Sequence, residues 1–239
     1  MLEQIEINPQ GPARCSIIWL HGLGADGHDF EPLLREWRLA DSLGARILLP
    51  HAPPRPVTLN GGMVMRAWYD IYDLGFSGRE DQEGIRRASG WLLELIEGEQ
   101  ARGIDSANIL LAGFSQGGAL SLYTAVRFPA PLAGVLALSS YLPLADRLGP
   151  EKRADPAALT IRMDHGDQDQ VVAPAIAARS RDRLLSEGFR VDFHSWHMAH
   201  SLCPPQMESL HRWITARLGR TRTDPVDGDQ SGARREHPQ

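Results

Sequence analysis

One lysine, Lys152, stands against 24 arginines in this 239-residue chain, and cysteine is nearly as scarce, with only Cys15 and Cys203. Two cysteines cannot build a tetrahedral Cys-rich zinc site, so both are expected as free thiols. The arginine preference reads as a genome bias rather than a functional signal. A basic excess is also lacking: the formal net charge is −5 and the pI is near 6.0. That balance gives no electrostatic footprint for nucleic acid. No run of about 18 apolar residues exists, which excludes a membrane-spanning helix and stable membrane insertion. The opening MLEQIEI lacks the basic start and apolar core of a signal peptide, so a cytoplasmic location is the expectation. No internal repeat is present.

What remains is ordinary for a globular domain: 42% hydrophobic and 23% charged residues in a length that suits one core. Short apolar runs at 16–20 (SIIWL), 46–49 (RILL), 109–112 (ILLA), 134–138 (GVLAL) and 159–163 (LTIRM) read as strands. Residues 191–196 complete the set, with a possible edge strand at 3–7. Helical patterns lie between them, at 30–37, 81–100, 116–127, 174–187 and 205–218. Continuous apolar runs are how strands buried on both faces look, and strand–helix alternation predicts a mostly parallel sheet covered by helices on both sides. Two stretches stand outside the alternation. Residues 50–78 hold four prolines and the pair Trp68-Tyr69, and are expected to be a long functional loop. Residues 219–239 carry only Val226 and Ala233 as apolar anchors, and are expected to be a disordered charged tail behind a single domain at 1–218.

The sequence Gly113-Phe114-Ser115-Gln116-Gly117 joins an apolar run to a helical pattern. A nucleophile elbow needs that junction, with small residues that let the backbones approach and a helix amino terminus beside the oxyanion. The competing reading of Ser115 is a plain helix N-cap. Serine attack on a carbonyl also needs donors for the oxygen that turns negative. The backbone N–H of Gln116 is one candidate. His21-Gly22-Leu23-Gly24, after the strand at 16–20, offers Leu23 as the other, against a reading in which it is a simple turn with a structural histidine. The chain order Ser, acid, His leaves several candidates. Asp164, Asp167 and Asp169 follow the strand at 159–163; His165, His194, His197 and His200 follow the serine. His197 and His200 lie in the loop before Pro204-Pro205, where a base belongs, and spacing does not choose among the aspartates. Their spacing matches no metal motif, so neither metal nor cofactor is expected.

Taken together, six blocks resemble the phospholipase/carboxylesterase family, which includes bacterial carboxylesterases and acyl-protein thioesterases. They are WLHGLGADGH (19–28), PHAPPRPVTLNGG (50–62), MRAWYDI (65–71), GFSQGG (113–118), HGDQDQVV (165–172) and HSLC (200–203). They run in family order across about residues 1–218, and MRAWYDI looks more like the bacterial carboxylesterase branch. The resemblance implies an α/β-hydrolase fold without a lid domain, Ser115 as nucleophile, Asp169 as acid and His200 as base. It also implies Leu23 and Gln116 as oxyanion donors. Trp68 and Val172 fall where family members line the acyl pocket, although both would equally suit core packing. The expected activity is serine carboxylesterase action on short- to medium-chain esters. The alternative is thioester hydrolysis, on acylated proteins or acyl-CoA, with the same residues. The expected partner is a small ester or thioester substrate, and the chain is expected to be a monomer or weak homodimer.

Overall fold

Period-two alternation within the apolar runs decides which side of the sheet each residue faces. In β2 (Cys15–Leu20), Ile17 and Trp19 enter one core while Ile18 and Leu20 enter the other. In β6 (Ile109–Phe114), Leu110 and Ala112 go one way and Ile109 and Leu111 the other. A strand that is apolar on both sides needs cover on both sides, and the computed structural model, which describes residues 2–73, 75 and 79–219, supplies it.

The remaining strands are β1 (Gln4–Ile7), β3 (Ala45–Pro50), β4 (Pro54–Val57), β5 (Met63–Arg66), β7 (Gly134–Leu138), β8 (Thr160–Gly166) and β9 (Arg190–Trp196). The helices are α1 (Glu31–Glu36), α2 (Leu39–Leu43), α3 (Gln82–Ala101), α4 (Gln116–Ala125), α5 (Leu148–Glu151), α6 (Pro174–Ser186) and α7 (Pro204–Leu218). Seven strands form one sheet in the order β1-β3-β2-β6-β7-β8-β9, parallel throughout except for β1 against β3. Side chains of α3, α4 and α6 complete one core, and those of α1, α2 and α7 the other. This is the α/β-hydrolase architecture in a single domain. Among the described residues no helix is long and apolar enough to cross a membrane.

The helix expected over 30–37 is present as α1, and Arg38, at a left-handed φ of 51°, separates it from the short α2 that follows. The stretch expected to be a loop from 50 holds a hairpin, β4 against β5, outside the main sheet. Pro54 and Pro56 are compatible with it because residues two apart put their missing N–H groups on the same open edge. The expected tail at 219–239 lies outside the described residues, apart from Gly219.

Candidate active site

The first piece of the site is a sharp turn. β6 ends at Phe114, α4 starts at Gln116, and Ser115 between them is held at φ 53°, ψ −120°, a conformation that costs a non-glycine residue of order 1–3 kcal/mol. Close approach explains the flanking glycines. A Cβ on Gly113 would sit 2.4 Å from the Gly117 carbonyl carbon, and one on Gly117 would sit 2.4 Å from the Leu20 carbonyl oxygen. The Ser115 N–H donates to Leu138 O at 2.8 Å, fixing the turn to β7.

Loops after β8 and β9 bring the other two groups. His200 Nε2 lies 2.9 Å from Ser115 Oγ, and His200 Nδ1 lies 2.7 Å from Asp169 Oδ2. The carboxylate accepts from Nδ1–H, so Nε2 is free to accept from the serine hydroxyl. Asp169 is buried, and its other oxygen accepts the Val171 and Val172 N–H groups at 2.9 Å each. Burial pushes its carboxyl up, but the bond to His200 and the two N–H groups outweigh burial and hold it below the usual carboxylate range. An imidazole set between a hydroxyl and an ionised carboxylate can take the hydroxyl proton and keep the charge it gains.

The rival residues are occupied elsewhere. Asp164 is buried in a two-point ion pair with Arg162, at 2.7 and 3.0 Å, and accepts Trp196 Nε1–H. Asp167 and His197 are exposed and pair with one another at 3.2 Å. His194 pairs with Asp192. His165 is buried and donates from Nε2 to Val172 O at 2.8 Å, with burial lowering its pKa.

The turn after β2 faces the elbow. His21 is buried, which pushes its pKa down to about 4. Its Nδ1–H donates to Gly22 O at 2.7 Å and its Nε2 accepts the Ala52 N–H at 3.0 Å. Ala25 N–H also reaches Gly22 O, at 3.3 Å. A trans peptide points its N–H opposite to its C=O, so holding the Gly22 carbonyl turns the Leu23 N–H the other way. Both Leu23 and Gln116 line the cavity above Ser115. Among the described residues, neither of their N–H groups is taken by a backbone carbonyl.

That cavity measures about 360 Å³ and is mostly apolar, with Leu59, Ile71, Phe114 and Val172 in its wall. Val172 lines that cavity and also packs in a buried cluster with Ala119, Tyr141 and Ile176. Trp68 does not: it is fully buried, absent from the cavity lining, and donates Nε1–H to His21 O beneath the turn. A buried aromatic under a site and one lining it look alike in sequence. Sequence reasoning also missed the Gln116 side chain, whose Oε1 accepts the Trp68 N–H at 2.9 Å and whose Nε2 donates to Tyr69 O at 2.7 Å. The available signal was a long amide in an otherwise small-residue helix start. Among the described residues no group of three or more His, Cys, Asp or Glu is placed to hold a metal.

Residues 3–218 match the family described as Phospholipase/Carboxylesterase. Acyl-protein thioesterase 1 of Neurospora crassa is 36% identical over 216 residues, which cover 85% of this chain and 87% of that protein. Acyl-protein thioesterase 1 of Schizosaccharomyces pombe is 37% identical over 185 residues, 77% of this chain and 82% of that one. The crystal structure of Zea mays acyl-protein thioesterase 2 superposes with a TM-score of 0.79 at 30% identity, covering 92% of this chain and all of that one.

Proposed function

The chain belongs to the phospholipase/carboxylesterase family and is a serine hydrolase, and from that membership we propose that it is an acyl thioesterase. Its substrate would be a short- to medium-chain acyl thioester, and the hydrolysis would run through an acyl-Ser115 intermediate. The observation that carries the mechanism is the hydrogen-bonded run Ser115–His200–Asp169, at 2.9 and 2.7 Å. His200 takes the Ser115 proton as Oγ attacks the acyl carbonyl carbon. The carbonyl oxygen becomes negative and rests on the Leu23 and Gln116 N–H groups, the second at the positive end of α4. As the C–S bond breaks, His200 returns the proton to the departing thiolate. Water, deprotonated by His200, then attacks the acyl-serine, releasing the carboxylic acid and restoring the Ser115 hydroxyl. Asp169 holds the imidazole tautomer and offsets its charge without itself being protonated. No metal or cofactor takes part.

Thioester preference is supported by the relatives at 36–37% identity, both named acyl-protein thioesterases. The second reading is carboxylesterase action on oxygen esters. The family description favours it, and the same residues would serve; an alkoxide leaves less readily than a thiolate and leans harder on His200 as acid. Matched acyl thioesters and oxygen esters of one chain length separate the two. A kcat/KM at least about tenfold higher for the thioester supports the first reading, and the reverse ratio assigns the second. A fluorophosphonate probe should label Ser115 stoichiometrically and chelators should leave turnover intact. Activity lost to EDTA and restored by zinc would overturn both.

A further inference from the structure

Tyr141 lines three separate hollows. One is the catalytic cavity of about 360 Å³. A second, of about 250 Å³, lies between Leu142, Ala145, Ile176 and Arg183. The third is a small recess against Tyr69, Glu80 and Asp81. The Tyr141 ring packs in a buried cluster with Ala119, Val172 and Ile176. Val172 belongs to the catalytic cavity and Ile176 to the second hollow, so the ring stands between the two spaces.

We propose that Tyr141 is the partition that limits acyl-chain length in this site, sealing the inner end of the catalytic cavity from the hollow beside Ile176. The proposal rests on the acyl-serine reading above and names its specificity-determining residue. An acyl group on Ser115 would extend along Leu23, Leu59, Ile71 and Val172, all of which line the cavity. Beyond the first several carbons it meets the Tyr141 ring. That ring is braced. Its hydroxyl lies 3.1 Å from the Tyr69 hydroxyl, and the Tyr69 carbonyl is in turn held by Gln116 Nε2. Both phenols are buried, and burial raises their pKa values well above the usual phenol range, so the partition is neutral. The hollow behind it opens past the exposed Arg179, which leaves room for a longer chain to run outward once the ring is gone.

The test is the dependence of kcat/KM on chain length, from butanoyl to hexadecanoyl thioesters below their micellar limits. Native protein should lose about tenfold or more between octanoyl and tetradecanoyl substrates, the reverse of what added apolar contact alone would give. Tyr141→Ala should raise the tetradecanoyl-to-butanoyl ratio by about tenfold, and Tyr141→Phe, which keeps the ring, should leave the cut-off where it is. A Tyr141→Ala protein that hydrolyses butanoyl substrate with the native length profile overturns the proposal. Should that variant not fold, inactivation of the native protein by alkyl fluorophosphonates of increasing length decides. A rate that stays level to the longest chain overturns the proposal, and a fall at the octanoyl-to-tetradecanoyl step supports it. Failure of the catalytic reading shows differently, as a Ser115→Ala protein that still turns over the butanoyl substrate.

Discussion

Ser115 carries its strain in the backbone, so the side chain and the conformation can be tested apart. Ser115→Ala keeps the φ of 53° and loses the hydroxyl, while Ser115→Gly loses the hydroxyl and relaxes the backbone. Both should be inactive, and the glycine variant should be the more stable by about 1 kcal/mol in denaturant midpoints. Equal stability would show that the turn is unstrained. The acid is tested by neighbours two residues apart. Asp169→Asn should cost about 10⁴-fold in turnover in folded protein, because it leaves the wrong imidazole tautomer. Asp167→Asn should cost little, since that exposed carboxylate pairs with the exposed His197.

Histidine burial sets a pH limit at the same scale. His21 is neutral in the folded protein down to about pH 4, whereas the unfolded chain takes up that proton near 6.5. The unfolded state therefore binds more protons as pH falls between those values, and stability drains across that window. The loss attributable to His21 is up to about 3 kcal/mol, and His165, shifted the same way by burial, adds to it. Urea midpoints at pH 7, 6 and 5 should fall in the native protein and fall less steeply in His21→Gln. An unchanged slope in that variant would remove His21 as the cause.

At the scale of elements, close packing of β2 on α4 fixes the distance between the Leu23 turn and the start of α4 at Gln116. Gly117→Ala would drive a methyl group against the Leu20 and His21 carbonyl oxygens, at 2.4 and 2.5 Å. The elements must then separate, at a cost of about 2–4 kcal/mol in stability, with a larger relative loss of turnover than of binding. The central strands β2, β6 and β7 were legible in the sequence because burial on both faces leaves continuous apolar runs. The β4–β5 hairpin was not: its strands are four residues long, and Pro54 and Pro56 read as loop. Ser115 and the Gly22-Leu23 turn were legible from local context, since glycine spacing and a strand-to-helix junction are local facts. The choice of Asp169 over Asp164 and Asp167 was not, because it depends on how the loop after β8 turns. Family resemblance named Asp169, and the Arg162–Asp164 pair supplies the physical reason that Asp164 is occupied.

For the molecule as a whole, α7 is the last element that closes a core. Leu210, Ile214 and Leu218 are buried on it, so the core on the α1 and α2 face of the sheet depends on the chain up to that point. The residues after Gly219 are rich in Arg, Asp, Gly and Pro. Deleting 221–239 should therefore leave the melting temperature and turnover nearly unchanged, within the range of surface changes. A loss of several degrees would show that the segment docks.

The hairpin is tied down at its foot and free at its tip. Gly24 N–H holds Arg66 O, Gln116 holds Trp68 and Tyr69, and Thr58 and Leu59 are bonded to Asp70 and Ile71. Beyond these ties Gly61 and Gly62 meet no neighbour where a Cβ would stand, and Met63 and Val64 are each 64% exposed. The span between Asn60 and Val64 is thus a natural cassette, separable from the reacting groups. Loops of other lengths and chemistries could be grafted there to re-tailor what the enzyme admits, while the elbow and its proton relay keep their geometry.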